Sequence, residues 1–316
     1  MAFGGAEVVV GVAEVPDVSP VGSPRQRLQA QLAAQLPAHP ELVLVTDLDG
    51  TLLAGPAPWR RWLYRWLALE RHRVLHVFST GRDLRSVARV LAAEPELGLA
   101  APHLVISDVG CTVACGLSLE PLPLAVDPIE ARWRGLPERL LPQLALIPGV
   151  ASEPETADRR LAYRVDVEAL DCSLLRELEI HGVDCLVSGG RYLDVLPAGV
   201  NKGSTLLSLL DWLEVPPERV LTAGDSLNDL AMFETGLASV MVANAEPDLV
   251  AQLPRLPATY QARAEGCQGI VEGLHHFGFS SLLGGRTAGR GARDSAGSPS
   301  GSSRRGHEAA AEEASG

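Results

Sequence analysis

Five consecutive apolar or β-branched residues, Leu42-Val43-Leu44-Val45-Thr46, run straight into Asp47-Leu48-Asp49-Gly50-Thr51-Leu52. A run with no polar alternation is a strand buried on both faces, and a parallel sheet covered by helices on each side offers such a slot. The abrupt change to carboxylates and glycine marks the carboxyl end of the strand, which in open α/β sheets is where ligands bind. Two carboxylates two positions apart at such a mouth repel each other. The economical compensation is a hard divalent cation with oxygen ligands, Mg2+ foremost. Taken alone, the same residues are explained as well by a turn capped by an Asp side chain.

The pattern then repeats. Trp59 to Leu69 carries Trp59, Trp62, Leu63, Trp66 and Leu67 at helical spacing, a core-facing stripe. Val74 to Phe78 is a second buried strand ending in Ser79-Thr80-Gly81-Arg82, followed by a helix with Leu84, Val87, Ala88 and Leu91 on one face. A hydroxyl, a glycine and a helix amino end at a strand mouth form a cradle for phosphate, although Ser and Thr are also ordinary helix caps. His76, inside this strand, reads as a core residue. A third strand, Leu104 to Ser107, leads to Asp108-Val109-Gly110. Buried strands alternating with helices define an α/β fold with a doubly wound parallel, Rossmann-like sheet.

Between residues 116 and 193 the pattern changes to an α+β insert. One helix containing Ile129, Trp133, Leu136 and Leu140 is expected, then a strand from Leu161 to Val167 whose alternation implies one solvated face. A helix around Leu174 to Leu178 and a hairpin, Val183 to Ser188 and Arg191 to Leu196, turned at Gly189-Gly190, complete it. Such an insert is placed to cap the mouth and select the substrate. The core therefore comprises 41–115 and 194–280, split by the cap at 116–193.

Two further mouths follow. Asn201-Lys202-Gly203 opens a helix carrying Leu206, Leu207, Leu210 and Leu213, which puts a cation in the first turn, where the helix dipole favours an acid. The misfit calls for an answering anion, and the carboxylates of the first strand with a phosphate would supply it. Val220 to Ala223 ends in Gly224-Asp225-Ser226-Leu227-Asn228-Asp229, again a buried strand with carboxylates at its exit. Asp225 and Asp229 as mere caps of a short helix to Phe233 remain the bland reading.

In this order the acidic pair, the hydroxyl with Gly-Arg, the lysine and Gly-Asp-Ser-x-Asn-Asp resemble the haloacid dehalogenase-type phosphohydrolases, and the insert resembles the large cap of their Cof-like branch. A narrower resemblance is to sucrose-6-phosphate phosphatases. It is carried by Tyr192-Leu193-Asp194-Val195-Leu196-Pro197 with Asn201-Lys202-Gly203, by Asn244-Ala245-Glu246-Pro247-Asp248-Leu249, and by Tyr260-Gln261-Ala262-Arg263 with Gly269 to Phe277. It extends from about Leu42 to Phe279. Leu227 and Cys111 depart from the family pattern.

The resemblance implies roles. Asp47 is the nucleophile and Asp49 the acid/base, while Thr80, the Gly81 amide and Lys202 hold the phosphate. Asp47, the Asp49 carbonyl and Asp225 bind Mg2+, with Asp229 and Asn228 at or behind them, and Arg82 touches substrate or braces its loop. The implied activity is hydrolysis of sucrose 6-phosphate. Mannosylfructose phosphate and glucosylglycerol phosphate are the alternatives within the chemistry, and a noncatalytic phosphosugar- or partner-binding relic is the alternative outside it. Retention of Asp47, Asp49, Lys202 and Asp225 counts against the relic. Cap side chains such as Tyr163 and Arg164 are expected to choose the sugar, and a glycosyltransferase of the same pathway is the expected partner.

Composition bounds the rest. A net charge of -12 over 316 residues argues against a nucleic-acid binder. No apolar run reaches the ~18–20 residues of a membrane span. Five scattered cysteines, Cys111, Cys115, Cys172, Cys185 and Cys267, read as free thiols rather than a zinc site. With no basic start resembling a signal peptide, a cytoplasmic monomer is expected. Residues 1–40 read as a poorly structured extension with one short helix over Arg25 to Leu36, and 284–316 as a disordered tail.

Overall fold

The run Leu42–Thr46 forms the expected strand, with every residue buried. The computed structural model describes residues 22–93, 97–152, 154–155 and 158–284. In chain order the strands are β1 (Leu42–Thr46), β2 (Val74–Ser79), β3 (Leu104–Ser107), β4 (Thr112–Cys115), β5 (Leu161–Arg164), β6 (Val183–Ser188), β7 (Tyr192–Pro197), β8 (Val220–Gly224), β9 (Ala238–Met241) and β10 (Thr259–Gln261). The helices are α1 (Pro24–Gln29), α2 (Ala57–Leu69), α3 (Leu84–Ala93), α4 (Pro123–Trp133), α5 (Leu136–Leu144), α6 (Cys172–Glu179), α7 (Lys202–Leu213), α8 (Leu230–Phe233), α9 (Pro247–Val250), α10 (Gly266–His276) and α11 (Ser280–Leu283).

The main sheet has the order β10-β9-β8-β1-β2-β3-β4, parallel except for the antiparallel edge strand β4. β1 sits between β2 and β8, with Thr46 opposite both Phe78 and Ala223, so the mouths of three strands open at one level. Strand periodicity sorts the two faces. Leu42 and Leu44 pack with α2 and α10 residues such as Leu63, Tyr64, Ile270 and Leu274. Val43 and Val45 pack with Leu28 of α1 and Leu206, Leu209, Leu210 and Leu213 of α7. Burying each face under helices is what makes the uninterrupted apolar run necessary.

A second, antiparallel sheet, β5-β7-β6, belongs to the insert and shares a core with Trp133, Leu136, Leu140, Leu144, Leu175 and Leu178. Several local expectations are corrected here. The single helix expected across Ile129 to Leu140 is two, α4 and α5, because Gly135 takes the left-handed conformation (φ 77°) between them. The strand expected to Val167 stops at Arg164: Asp166 N–H turns to the Gly149 carbonyl and the Asp166 side chain accepts from Glu168 N–H. Its alternation is otherwise kept: Leu161, Tyr163 and Val165 are buried while Arg164 and Asp166 are exposed, and on the outer face only the small Ala162 is covered. The insert edge drawn at 193 falls inside β7. At the other edge the chain stays on the main sheet as far as Leu122, whose N–H donates to the Val113 carbonyl.

The expected poorly structured extension is corrected for residues 22–40. Helix α1 is capped by Ser23, buries Leu28, and sends Arg25 to the Leu213 carbonyl at 2.6 Å. It ends at Gln29 rather than running on to Leu36. Residues 1–21 and the tail from 285 lie outside the described residues. All five cysteines are free, and no helix among the described residues is long and apolar enough to cross a membrane.

Candidate active site

After β1 the chain makes a wide turn in which Leu52 N–H donates to the Asp47 carbonyl and Leu53 N–H to the Leu48 carbonyl. Gly50 has φ 77°, and a Cβ there would lie 2.1 Å from Asp225 Oδ2. Only glycine lets the loop after β8 close on the loop after β1. Thr51 completes the closure by donating its hydroxyl proton to Asp225 Oδ1 at 2.6 Å.

Lys202 enters from the first turn of α7 and is fully buried. Its helix start is held by Asn201, whose side chain accepts from Ser204 N–H at 2.8 Å while the Ser204 hydroxyl accepts from Asn201 N–H at 3.0 Å. Lys202 Nζ donates to Asp47 Oδ1 (2.8 Å), Asn228 Oδ1 (2.5 Å) and Asp229 Oδ1 (2.6 Å). Those acceptors are the answer to a cation at the wrong end of a helix dipole. Asp229 has no exposure, and its Oδ2 accepts from the N–H groups of Asp225 and Ser226 at 3.0 and 3.1 Å. Both of its oxygens are thus already engaged.

Carboxylate oxygens of Asp47, Asp225 and Asp229 lie within 4.8 Å of one another. Burial pushes the Asp47 carboxyl well above its ordinary range, against the pull of Lys202. Burial and then Asp229 push Asp225 up to about 7. Burial works to lower Lys202, but Asp229 and Asp47 outweigh it and hold the ammonium charged. One lysine does not neutralise three buried acids, and an all-oxygen cluster of this kind fits Mg2+.

The remaining expected residues surround the same mouth. Thr80 is buried, and its Oγ1 accepts from Arg82 N–H at 3.1 Å. A Cβ on Gly81 would lie 3.5 Å from Asn228 Nδ2, so the loops after β2 and β8 are neighbours. Asp49 is largely exposed and turns to Arg82, whose Nε and one terminal nitrogen donate to its two oxygens at 2.6 Å each. The four separated signals of the sequence therefore converge on one site.

Other participants carried no assigned role in the sequence. Asn244 donates to the Gly50 carbonyl (2.7 Å) and accepts from Gly266 N–H (3.0 Å). Glu246 accepts from Leu227 N–H at 3.2 Å. Both lie in the stretch noted for its narrower resemblance. Arg160 joins Asp108, Asp194 and the Gly81 carbonyl beside the mouth. The two cap residues expected to read the sugar separate: Tyr163 is buried in the insert's own core, which corrects that expectation, while Arg164 is exposed, pairs with Glu155 at 2.6 Å and lies over the Tyr192 ring.

The family model for sucrose-6F-phosphate phosphohydrolase matches residues 40–278. The chain belongs to this family. It sits within the haloacid dehalogenase-like superfamily, in the Cof-like branch. Family membership covers both sheets and every site residue above. The sucrose-phosphatase of Synechocystis sp. PCC6803, solved in complex with sucrose and phosphate, superposes with a TM-score of 0.66 at 26% identity, covering 75% of this chain and 98% of that one. The glucosylglycerol-phosphate synthase of Pseudomonas anguilliseptica is 40% identical over 245 residues, 75% of this chain but 31% of that protein. A probable sucrose-phosphatase of Arabidopsis thaliana is 32% identical, covering 77% of this chain and 61% of that protein. The mannosylfructose-phosphate phosphatase of Agrobacterium fabrum is 29% identical over 98% of its length. The match thus spans less than two thirds of the synthase and of the Arabidopsis protein.

Proposed function

We propose that this protein is a Mg2+-dependent phosphatase of a glycosyl phosphate, with sucrose 6-phosphate as the substrate, working through an aspartyl-phosphate on Asp47. The observation that carries the reading is the buried Lys202 bound to Asp47 and Asp229 beside Asp225, a cluster with more carboxylate than one cation neutralises. Asp47, Asp225 and the Asp49 carbonyl would hold the metal, which when bound supplies charge neutralisation for the phosphate oxygens and for the carboxylates themselves.

Asp47 attacks phosphorus in line, and the bond to the sugar oxygen breaks as that oxygen takes a proton from Asp49. Asp49 then removes a proton from water, whose oxygen attacks the aspartyl-phosphate and releases inorganic phosphate with Asp47 restored. Lys202, the Thr80 hydroxyl and the Gly81 amide neutralise the equatorial oxygens, where the charge of a phosphoryl transition state is spread. A carboxylate forked by a guanidinium is a poor acid, so Arg82 exchanges Asp49 for substrate as the site fills. Asp229 positions Lys202 and the loop after β8 rather than binding the metal. A glycosyltransferase that makes the glycosyl phosphate is the natural partner.

The test is phosphate release by the purified protein with Mg2+ against a panel. A seated insert leaves its polar groups unpaired when a ring is missing, so kcat/KM for sucrose 6-phosphate should exceed that for glucose 6-phosphate or fructose 6-phosphate at least ~100-fold. Equal efficiency on all three overturns the disaccharide-sized substrate. The 40% identity to a glucosylglycerol-phosphate synthase favours a second reading, glucosylglycerol phosphate, which keeps every step above and replaces the sugar.

A further inference from the structure

Arg160 precedes β5, within the insert, yet it is only 5% exposed. Its donors reach three separate parts of the chain. One terminal nitrogen donates to Asp194 on β7, Nε lies 3.5 Å from Asp108 Oδ1 after β3, and the other terminal nitrogen donates to the Gly81 carbonyl at 2.6 Å. A charged side chain is seldom buried unless paired, and a buried pair is weak evidence for stability alone. The chemistry at Asp47, Asp49 and Lys202 makes no direct use of it.

The Gly81 contact reaches that chemistry through one peptide unit. The Gly81–Arg82 peptide has its carbonyl held by Arg160 and its N–H donated to Thr80 Oγ1 at 3.1 Å. Because the unit is planar, fixing its oxygen orients the N–H on the opposite edge. With that N–H occupying the Thr80 oxygen, the hydroxyl proton of Thr80 is directed elsewhere, and phosphate is the acceptor the site offers. The loop is also laced to the segment that bears Asp108: Asp108 N–H donates to the Arg82 carbonyl (3.0 Å) and Val109 N–H to the Thr80 carbonyl (3.2 Å). Asp108 and Val109 hold φ of 54° and 56°, a left-handed conformation that non-glycine residues keep only where the surroundings impose it. This strained backbone carries the carboxylate that faces Arg160.

We propose that Arg160 is a positioning residue, a latch from the insert that sets the Gly81–Arg82 peptide and through it the Thr80 hydroxyl, an inference that rests on the phosphatase reading of the site. The planar fork is required: three acceptors in different directions are met by one guanidinium, whereas an ammonium of similar reach is a point charge that does not reproduce the fork. The insert thereby controls the phosphate loop as well as the sugar.

The experiment is a double-mutant cycle on the full chain with Mg2+ and p-nitrophenyl phosphate, an activated ester with no sugar to recognise, so the latch and the identity of the sugar are tested separately. If Arg160 acts through Thr80, the two changes are not additive. Arg160→Lys should lower kcat about tenfold in the unaltered background with KM little changed, and by less than about twofold when Thr80→Ala is already present. An equal loss in both backgrounds, or unchanged kcat in a folded Arg160→Lys protein, overturns the proposal. Should Arg160→Lys fail to fold, Asp194→Asn, which keeps side-chain volume and an acceptor, carries the same comparison. About a threefold loss of kcat that vanishes in Thr80→Ala supports the latch, and a loss that persists there refutes it.

Discussion

Replacing Lys202 with methionine removes one positive charge from a side chain with no solvent exposure while preserving most of its volume. Asp47 and Asp229 then face each other without the ammonium that lies 2.8 and 2.6 Å from their oxygens. Leaving a buried charge without its partner costs about 3–5 kcal/mol. At roughly 2–4 °C per kcal/mol for a chain of this order of size, the melting temperature should fall by roughly 6–20 °C at pH 8. The deficit should shrink as pH falls toward 5. Asp47 is already pushed upward by burial and would lose the cation that opposes that push. A carboxyl whose pKa is higher folded than unfolded binds more protons when folded, so acidification favours the folded state. Added Mg2+ should also recover part of the loss, and phosphate release should drop about 100- to 1,000-fold. Thermal melts monitored by circular dichroism between pH 5 and 8, with and without Mg2+, test each part. A variant melting within about 2 °C of the parent at pH 8 would refute the view that these acids depend on Lys202.

Stripping metal with EDTA should abolish phosphate release and Mg2+ should restore it, with Ca2+ a poor substitute because it accepts looser geometry; full activity of metal-free protein would sink the metal assignment. Asp47→Asn should leave no turnover and no hydroxylamine-labile phosphoenzyme, whereas Asp49→Asn should keep the nucleophile and lose about 100- to 10,000-fold in rate, so a phosphoenzyme trapped on another residue contradicts the roles given. His76 lies buried with its ring nitrogen 3.0 Å from Thr46 Oγ1, and burial, then the charges of His103 and Arg71, push it down to about 3. The unfolded chain therefore takes up a proton near pH 6.5 that the folded one refuses, so stability falls by about 2 kcal/mol between pH 7 and 5. His103, which burial pushes down to about 4, adds a similar loss. His76→Gln, which can still reach Thr46, should therefore remove about 2 kcal/mol of the fall between pH 7 and 5 in urea titrations and leave the share of His103; an unchanged slope would show that His76 is not a cause of it.

Much of the site was legible because each of its signals is local. A strand buried on both faces has to read as an unbroken apolar run, and the residue types at its end are the ones that meet the ligand. Asp47, Thr80, Lys202 and Asp225 each occupy such a mouth or the helix start beside it, and the order of strands in a doubly wound sheet brings those mouths to one level. Lys202 even declared its partners, since a cation in the first turn of a helix needs anions from elsewhere. The break at Gly135 did carry a local mark, a glycine followed two positions on by Pro137 at the next helix start, which apolar periodicity alone passes over. The early end of β5 carried none, because periodicity runs on across an Asp-capped turn.

What the sequence by itself determined was therefore the class of fold and the kind of chemistry, both consequences of short-range pattern. Only the tertiary structure decided which side chains share a charge or a hydrogen bond. Thr51 meets Asp225 across 174 positions, and Arg160 meets Gly81, Asp108 and Asp194 across 79, 52 and 34. Tyr163, expected to read the sugar, is instead core, while Arg164 beside it is exposed and paired with Glu155 over the Tyr192 ring. The physical reason is that a buried polar group gains its partner from whichever loop the packing brings within 3 Å, and packing depends on the three-dimensional arrangement of both faces of two sheets, of which no local window carries a record.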